Sequence, residues 1–157
     1  FVFLLNRMLR RTHLAIGTAI FLYFLPFVRH KILFIPVVLI SSLLPDIDSS
    51  FSQIGKKKIF RTVQAVFKHR GALHSYTVCI IISLVFAFFY PIIALPFFLG
   101  YSSHLLADSF TVMGIRPLWP LKYTSKGVVK TGSLVDRAIF FSFLIFDFFL
   151  FFFLMFK

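Results

Sequence analysis

Five apolar runs punctuate the chain, at residues 14–28, 32–44, 76–90, 92–106 and 138–156, and polar or cationic stretches separate them. Each predicts a helix. Together they predict an all-α fold, a polytopic membrane helix bundle of four to five short transmembrane helices, forming a single integral membrane domain over residues 1–157. Only the last run, at 19 residues, approaches the length of about 20 that an untilted span requires; residues 138–157 therefore read as a C-terminal transmembrane helix. The other four hold 13 to 15 residues, so they must borrow polar flanks, thin the bilayer locally or dip in without crossing. The first run follows Arg10 and Arg11 as a signal peptide would, but Pro26-Phe27-Val28-Arg29 offers no small-residue cleavage site. Because the sequence opens on Phe1, the expectation is an incomplete N-terminus or a native start at Met8.

Composition narrows the class. The chain is 59% hydrophobic and only 14% charged, with 25 Phe, whereas about a quarter of an ordinary soluble domain is charged. The 17 Lys and Arg face 5 Asp and no Glu, a formal charge of +12. Such an excess can serve nucleic acid, but no recognition motif accompanies it, and the cations fall where membrane topology puts them. With a cytoplasmic N-terminus and five crossings, the inside holds Arg7, Arg10, Arg11, all six cations of residues 56–70, and Arg116, Lys122, Lys126, Lys130 and Arg137. That is 14 of the 17, as the positive-inside rule demands. The expected partners are thus membrane lipids and not nucleic acid, and the expected location is the cell (inner) membrane. Oligomeric state is left open. The single Cys79 excludes a disulfide or thiolate metal cluster within one chain.

The same topology gathers the ligand-type side chains. His13 falls at the inner end of the first run, and Asp46 and Asp48 at that of the second. His69 and His74 stand at the entry to the third run, and His104 and Asp108 at the inner end of the fourth. Only His30 goes to the other side. His104 and Asp108, four apart, share one helix face. Pro45 must end or turn its helix, letting at least one of Asp46 and Asp48 aim across the bundle. His69 is expected in a loop before Gly71, and His74 in the first turn of the next helix. Any one of these residues alone reads as an amphipathic residue at a wet boundary. Seven on one face predict a site for a divalent metal, since charge near membrane depth is costly unless paired or metal-bound. Imidazole with carboxylate suits Zn, with Mn or Fe as alternatives, and one to two or more ions. Asp147, near the middle of the last run, is expected to be protonated or bonded to Ser142, facing the bundle interior, and Trp119 to be an interfacial anchor.

Four ordered motifs carry a resemblance. They are Thr12-His13-Leu14-Ala15-Ile16-Gly17, Leu44-Pro45-Asp46-Ile47-Asp48, His69-Arg70-Gly71-Ala72-Leu73-His74-Ser75 and Gly100-Tyr101-Ser102-Ser103-His104-Leu105-Leu106-Ala107-Asp108. The chain resembles the YdjM-like family of predicted membrane-bound metal-dependent hydrolases, some of them under LexA control, over a core of residues 11–121. Two positions depart from the family pattern: Ser49 stands where a His is frequent, and Leu73 where a Thr is frequent. More distantly, the motif order is similar to that of the zinc-dependent phospholipase C and P1-type nuclease group, which are all-helical phosphodiesterases. That likeness implies one metal held by Asp48 or Asp46 with His69 or His74, His104 and Asp108, and a second by His13 and a shared Asp108.

The leading expectation is hydrolysis of a phosphoester, a lipid headgroup or lipid-linked phosphate, at the cytoplasmic membrane face. Metal activates the water, one of Asp46 and Asp48 takes its proton, and Arg70 and Arg116 steady the phosphate. The alternative is a non-catalytic membrane protein that stores or passes a cation, although a transporter would place its polar residues near the bilayer midplane.

Overall fold

The structure of the protein is a computed structural model, and it describes residues 2–48 and 72–156, with side chains from Arg10 to Asp46 and from Ala72 onward. His69, Arg70, Ser49 and the side chain of Asp48 lie outside the described residues. Among the described residues there are five α-helices and no strand: α1 (Val2–Phe24), α2 (Lys31–Ser41), α3 (Tyr76–Phe89), α4 (Pro91–Ser109) and α5 (Leu134–Met155). A 3-10 helix, Leu44–Asp48, follows α2.

Local chemistry sets these limits. The stretch ahead of residue 14 is rich in Leu and Arg, good helix formers, so α1 runs back through it to Val2 and places His13 mid-helix rather than at a helix end. The helix stops at Phe24, before Pro26 disfavours helical geometry in its neighbour. The second helix ends at Ser41, earlier than its apolar run. Pro45 has no N–H for the Ser41 carbonyl, so the chain tightens, and the Asp46 N–H donates to the Leu43 carbonyl at 3.2 Å. The third helix is capped twice. The Ser75 hydroxyl accepts from the Val78 N–H, and the Pro117 carbonyl accepts from the Tyr76 N–H at 2.9 Å, covering donors that a helix start leaves open. Pro91 opens α4, where its missing N–H costs nothing.

The hub is α4, which packs on α1, α2 and α3, while α5 packs on α1. Phe97, Tyr101 and Leu105, four apart on α4, join Cys79 and Ile115 in a buried core. Gly100 lets α2 and α4 meet, since a Cβ there would collide with the Ser41 hydroxyl and the Val38 carbonyl. Between α4 and α5 the chain doubles back, Ile115 and Ser125 exchanging backbone hydrogen bonds of 2.9 Å each.

Among the described residues one helix, α5, is long and apolar enough to cross a membrane. Its most apolar stretch buries no residue inside the protein, and Phe146, Phe149 and Phe153 are each more than half exposed. An apolar face of that extent needs hydrocarbon or a partner over it. Of the four to five spans read from the apolar runs, α5 is the one that passes this test among the described residues: α2 and α3 have 11 and 14 residues, α1 carries cations, and α4 mixes polar residues among its 19.

Candidate metal centre

His104 is positioned from two sides. Its backbone is fixed by α4, and its Nδ1 lies 2.8 Å from the Ser42 carbonyl oxygen. A carbonyl can only accept, so Nδ1 carries the hydrogen and Nε2 keeps its lone pair. The Ser42 carbonyl is available because the α-to-3-10 transition sends the Asp46 N–H to Leu43 instead. Pro45 therefore does two things, ending α2 and freeing the acceptor that orients a ligand.

His74 stands just before the Ser75 N-cap, two residues ahead of the first helical residue and not in the first turn as expected. The Tyr101 hydroxyl donates to the Leu73 carbonyl at 2.6 Å and pins this segment to α4. His13 arrives from α1 and stacks on His104, ring centroids 3.9 Å apart and 16° from parallel.

These side chains meet around Asp108. His13 Nε2 is 3.5 Å from its Oδ1, and His74 Nε2 and His104 Nε2 are 3.6 and 3.8 Å from its Oδ2. Asp46 Oδ1 lies 3.9 Å from His104 Nε2. Three histidines and Asp108 are buried, whereas Asp46 keeps 19% of its side chain exposed and forms the open edge. These separations exceed the hydrogen-bonding range of about 2.7–3.2 Å. They are close to the spacing of about 3.3–3.6 Å between neighbouring donors on a tetrahedral ion with bonds of about 2.0–2.2 Å. Among the described residues, both ring nitrogens of His13 and Nε2 of His104 lack hydrogen-bond partners, a costly state for buried polar atoms. The donor set fits a divalent ion in two overlapping groups, His13 with His104 and Asp108, and Asp46 with His74 and His104.

Other expected positions behave differently. Arg116 is exposed, although its neighbour Pro117 caps α3 beside His74. His30 is exposed at the far end, before α2. Ser142 is exposed, and Asp147 Oδ1 has no hydrogen-bond partner among the described residues; the expected bond between them is not formed. One residue near the cluster was missed. Asp136, buried, accepts from Thr12 at 2.9 Å and from the Gly132 N–H at 2.8 Å, tying α5 to α1 beside His13. Ser133-Leu134-Val135-Asp136 carries the signal, a capping Ser followed three residues later by an acid.

A family model described as YdjM inner membrane protein matches residues 8–156. The chain belongs to the YdjM family. Inner membrane protein YdjM of Escherichia coli (strain K12) is 33% identical over 117 residues, covering 67% of this chain and 60% of that protein. The protein of the same name in Shigella flexneri gives the same figures. Uncharacterized protein YvsG of Bacillus subtilis (strain 168) is 31% identical over 106 residues, 64% of this chain and 66% of that protein. The chain thus spans about 60% of the length of the YdjM relatives it matches. The family and the two YdjM relatives carry inner-membrane names, and with the bare apolar flank of α5 they make this a membrane protein. No solved structure matches, so the more distant likeness to phospholipase C and P1-type nucleases rests on motif order alone.

Proposed function

We propose that this YdjM-family protein is a membrane-embedded, multi-pass metal-dependent hydrolase that cleaves a phosphoester at the cytoplasmic membrane face. The observation that carries the proposal is the convergence of three imidazoles and two carboxylates from α1, α4, the 3-10 helix and the segment before α3. His13, His74, His104 and Asp108 hold the ion. A divalent ion bound there supplies a Lewis acid that polarises a phosphoryl oxygen and acidifies water. Asp46, at the open edge, receives the proton of the attacking water. Arg116, and Arg70 four residues before His74, grip the phosphate. Asp48 serves as a further ligand or as the base in place of Asp46, and His69 as a further ligand. The short helices share the bilayer with α5 as further spans, as the distribution of cations favours.

The near-complete burial of His74, His104 and Asp108 favours a second reading, a closed site that stores or passes a cation. Turnover separates the two. Purified protein, loaded with Zn or Mn, is to be assayed on a soluble phosphodiester, a phosphomonoester and bilayer phospholipids. Chelator-sensitive hydrolysis of at least one is expected. No turnover on any of them with metal bound supports storage or transport instead.

A further inference from the structure

A cavity of about 360 Å³ adjoins the His and Asp cluster at the seam of α1, α4 and α5. That size falls in the range of small-molecule pockets, about 300–1,000 Å³. Its lining changes character along α5, from Asp136 in the first turn to Ile139 and then Phe143, a distance of about 10 Å at a rise of about 1.5 Å per residue. Along α1 it passes from Thr12 and His13 to Ile16. The polar end therefore holds His13, whose ring is buried and whose two nitrogens have no hydrogen-bond partner among the described residues. The remaining wall is mostly hydrocarbon, interrupted by Ser103, Thr111 and Thr131. Two of the wall residues, Leu106 and Phe110, are 55% and 59% exposed, so the cavity opens on the outer flank of the bundle. That flank continues into the uncovered Phe face of α5. A ligand entering there comes from the bilayer interior, and an apolar chain makes that passage without loss, exchanging one hydrocarbon surrounding for another, whereas a polar group would lose its hydrogen bonds.

We infer that this cavity takes the hydrocarbon chain of a lipid phosphoester and thereby delivers the phosphate to the cluster that His13 shares. The inference rests on the hydrolase proposal for its functional meaning. The occupancy itself does not, because an alkyl chain fits the cavity whether or not bond cleavage follows. Burial of the chain would let the protein select long-chain lipids over soluble phosphoesters through KM.

The test uses the full-length protein in vesicles of phosphatidylethanolamine and phosphatidylglycerol, with a trace of phosphatidylglycerol bearing a diazirine in one acyl chain. After illumination, mass spectrometry maps the labelled residues. Labelling at Ile16, Ile139 and Phe143 is expected to exceed that at the membrane-exposed Phe149 by about tenfold, and Ile139→Trp, which fills the cavity, should remove the excess. A control on the outer face, Phe151→Trp, should leave it. Equal labelling of Phe149 and the cavity wall in wild-type protein overturns the inference, as does cross-linking of the wall to a second copy of the chain instead of lipid. If the cavity is labelled but no phosphoester is turned over, the hydrolase proposal fails and the lipid pocket stands.

Discussion

The Nδ1 of His104 donates to the carbonyl oxygen of Ser42 across 2.8 Å, and this contact ties the geometry of the cluster to the packing of α2 on α4. Gly100 maintains that packing, with no room for a Cβ against Val38 and Ser41. Gly100→Val should force the helices apart, costing about 1–3 kcal/mol by overpacking. It should also lower metal affinity by about 10–100-fold, as loss of a partner behind a ligating His does. Thermal unfolding in detergent and metal titration check the two effects; an unchanged affinity would detach the Ser42 contact from the site.

The bond from Thr12 to Asp136 should act on stability and not on metal. Thr12→Val removes a buried hydrogen bond to a carboxylate, worth about 1.5–3 kcal/mol, while His13 next to it keeps its place on α1. The expected result is a lower unfolding temperature with full metal content. Metal loss in this variant would make Thr12 part of the site.

Asp147 is half-buried between apolar residues in the Phe-rich stretch of α5, with an oxygen that has no hydrogen-bond partner among the described residues. Asp147→Leu is therefore expected to raise stability by on the order of 1 kcal/mol, measured by thermal unfolding, with metal content and turnover unchanged. A loss of turnover would assign Asp147 a role that its surroundings do not explain.

Topology is open to a direct check. Reporters inserted in the cationic stretch of residues 56–68 and fused after Lys157 should lie on opposite sides of the membrane, because the cations favour the cytoplasm for the first. The same side for both would overturn the five-crossing topology, which puts three crossings, by α3, α4 and α5, between the two points.

Much of the centre was legible from residue spacing. His104 and Asp108 had to share a face once their run was helical, and Pro45 had to redirect the chain near Asp46. The backward extension of α1 was hidden because Arg7, Arg10 and Arg11 interrupt the apolar run without weakening helix propensity. The doubled-back segment joining Ile115 to Ser125, the clamp from Asp136 to Thr12 and the cavity beside His13 depend on pairings between distant residues. No local periodicity encodes those. The cluster survived the misplaced helix start because side-chain direction follows helical phase, which the added turns left unaltered.

The central claim is that His13, His74, His104 and Asp108 hold a divalent ion, with Asp46 at its open edge. X-ray absorption on the purified, metal-reconstituted protein, with metal quantified by mass spectrometry, tests it most directly. The prediction is at least one ion per chain in a shell of nitrogen and oxygen at about 2.0–2.2 Å without sulfur, strongly reduced in His104→Ala, which removes the ligand shared by both donor groups, and less reduced in His13→Ala. Wild-type protein that binds no metal, or His104→Ala and Asp108→Ala variants that keep a full complement in the same shell, would contradict it.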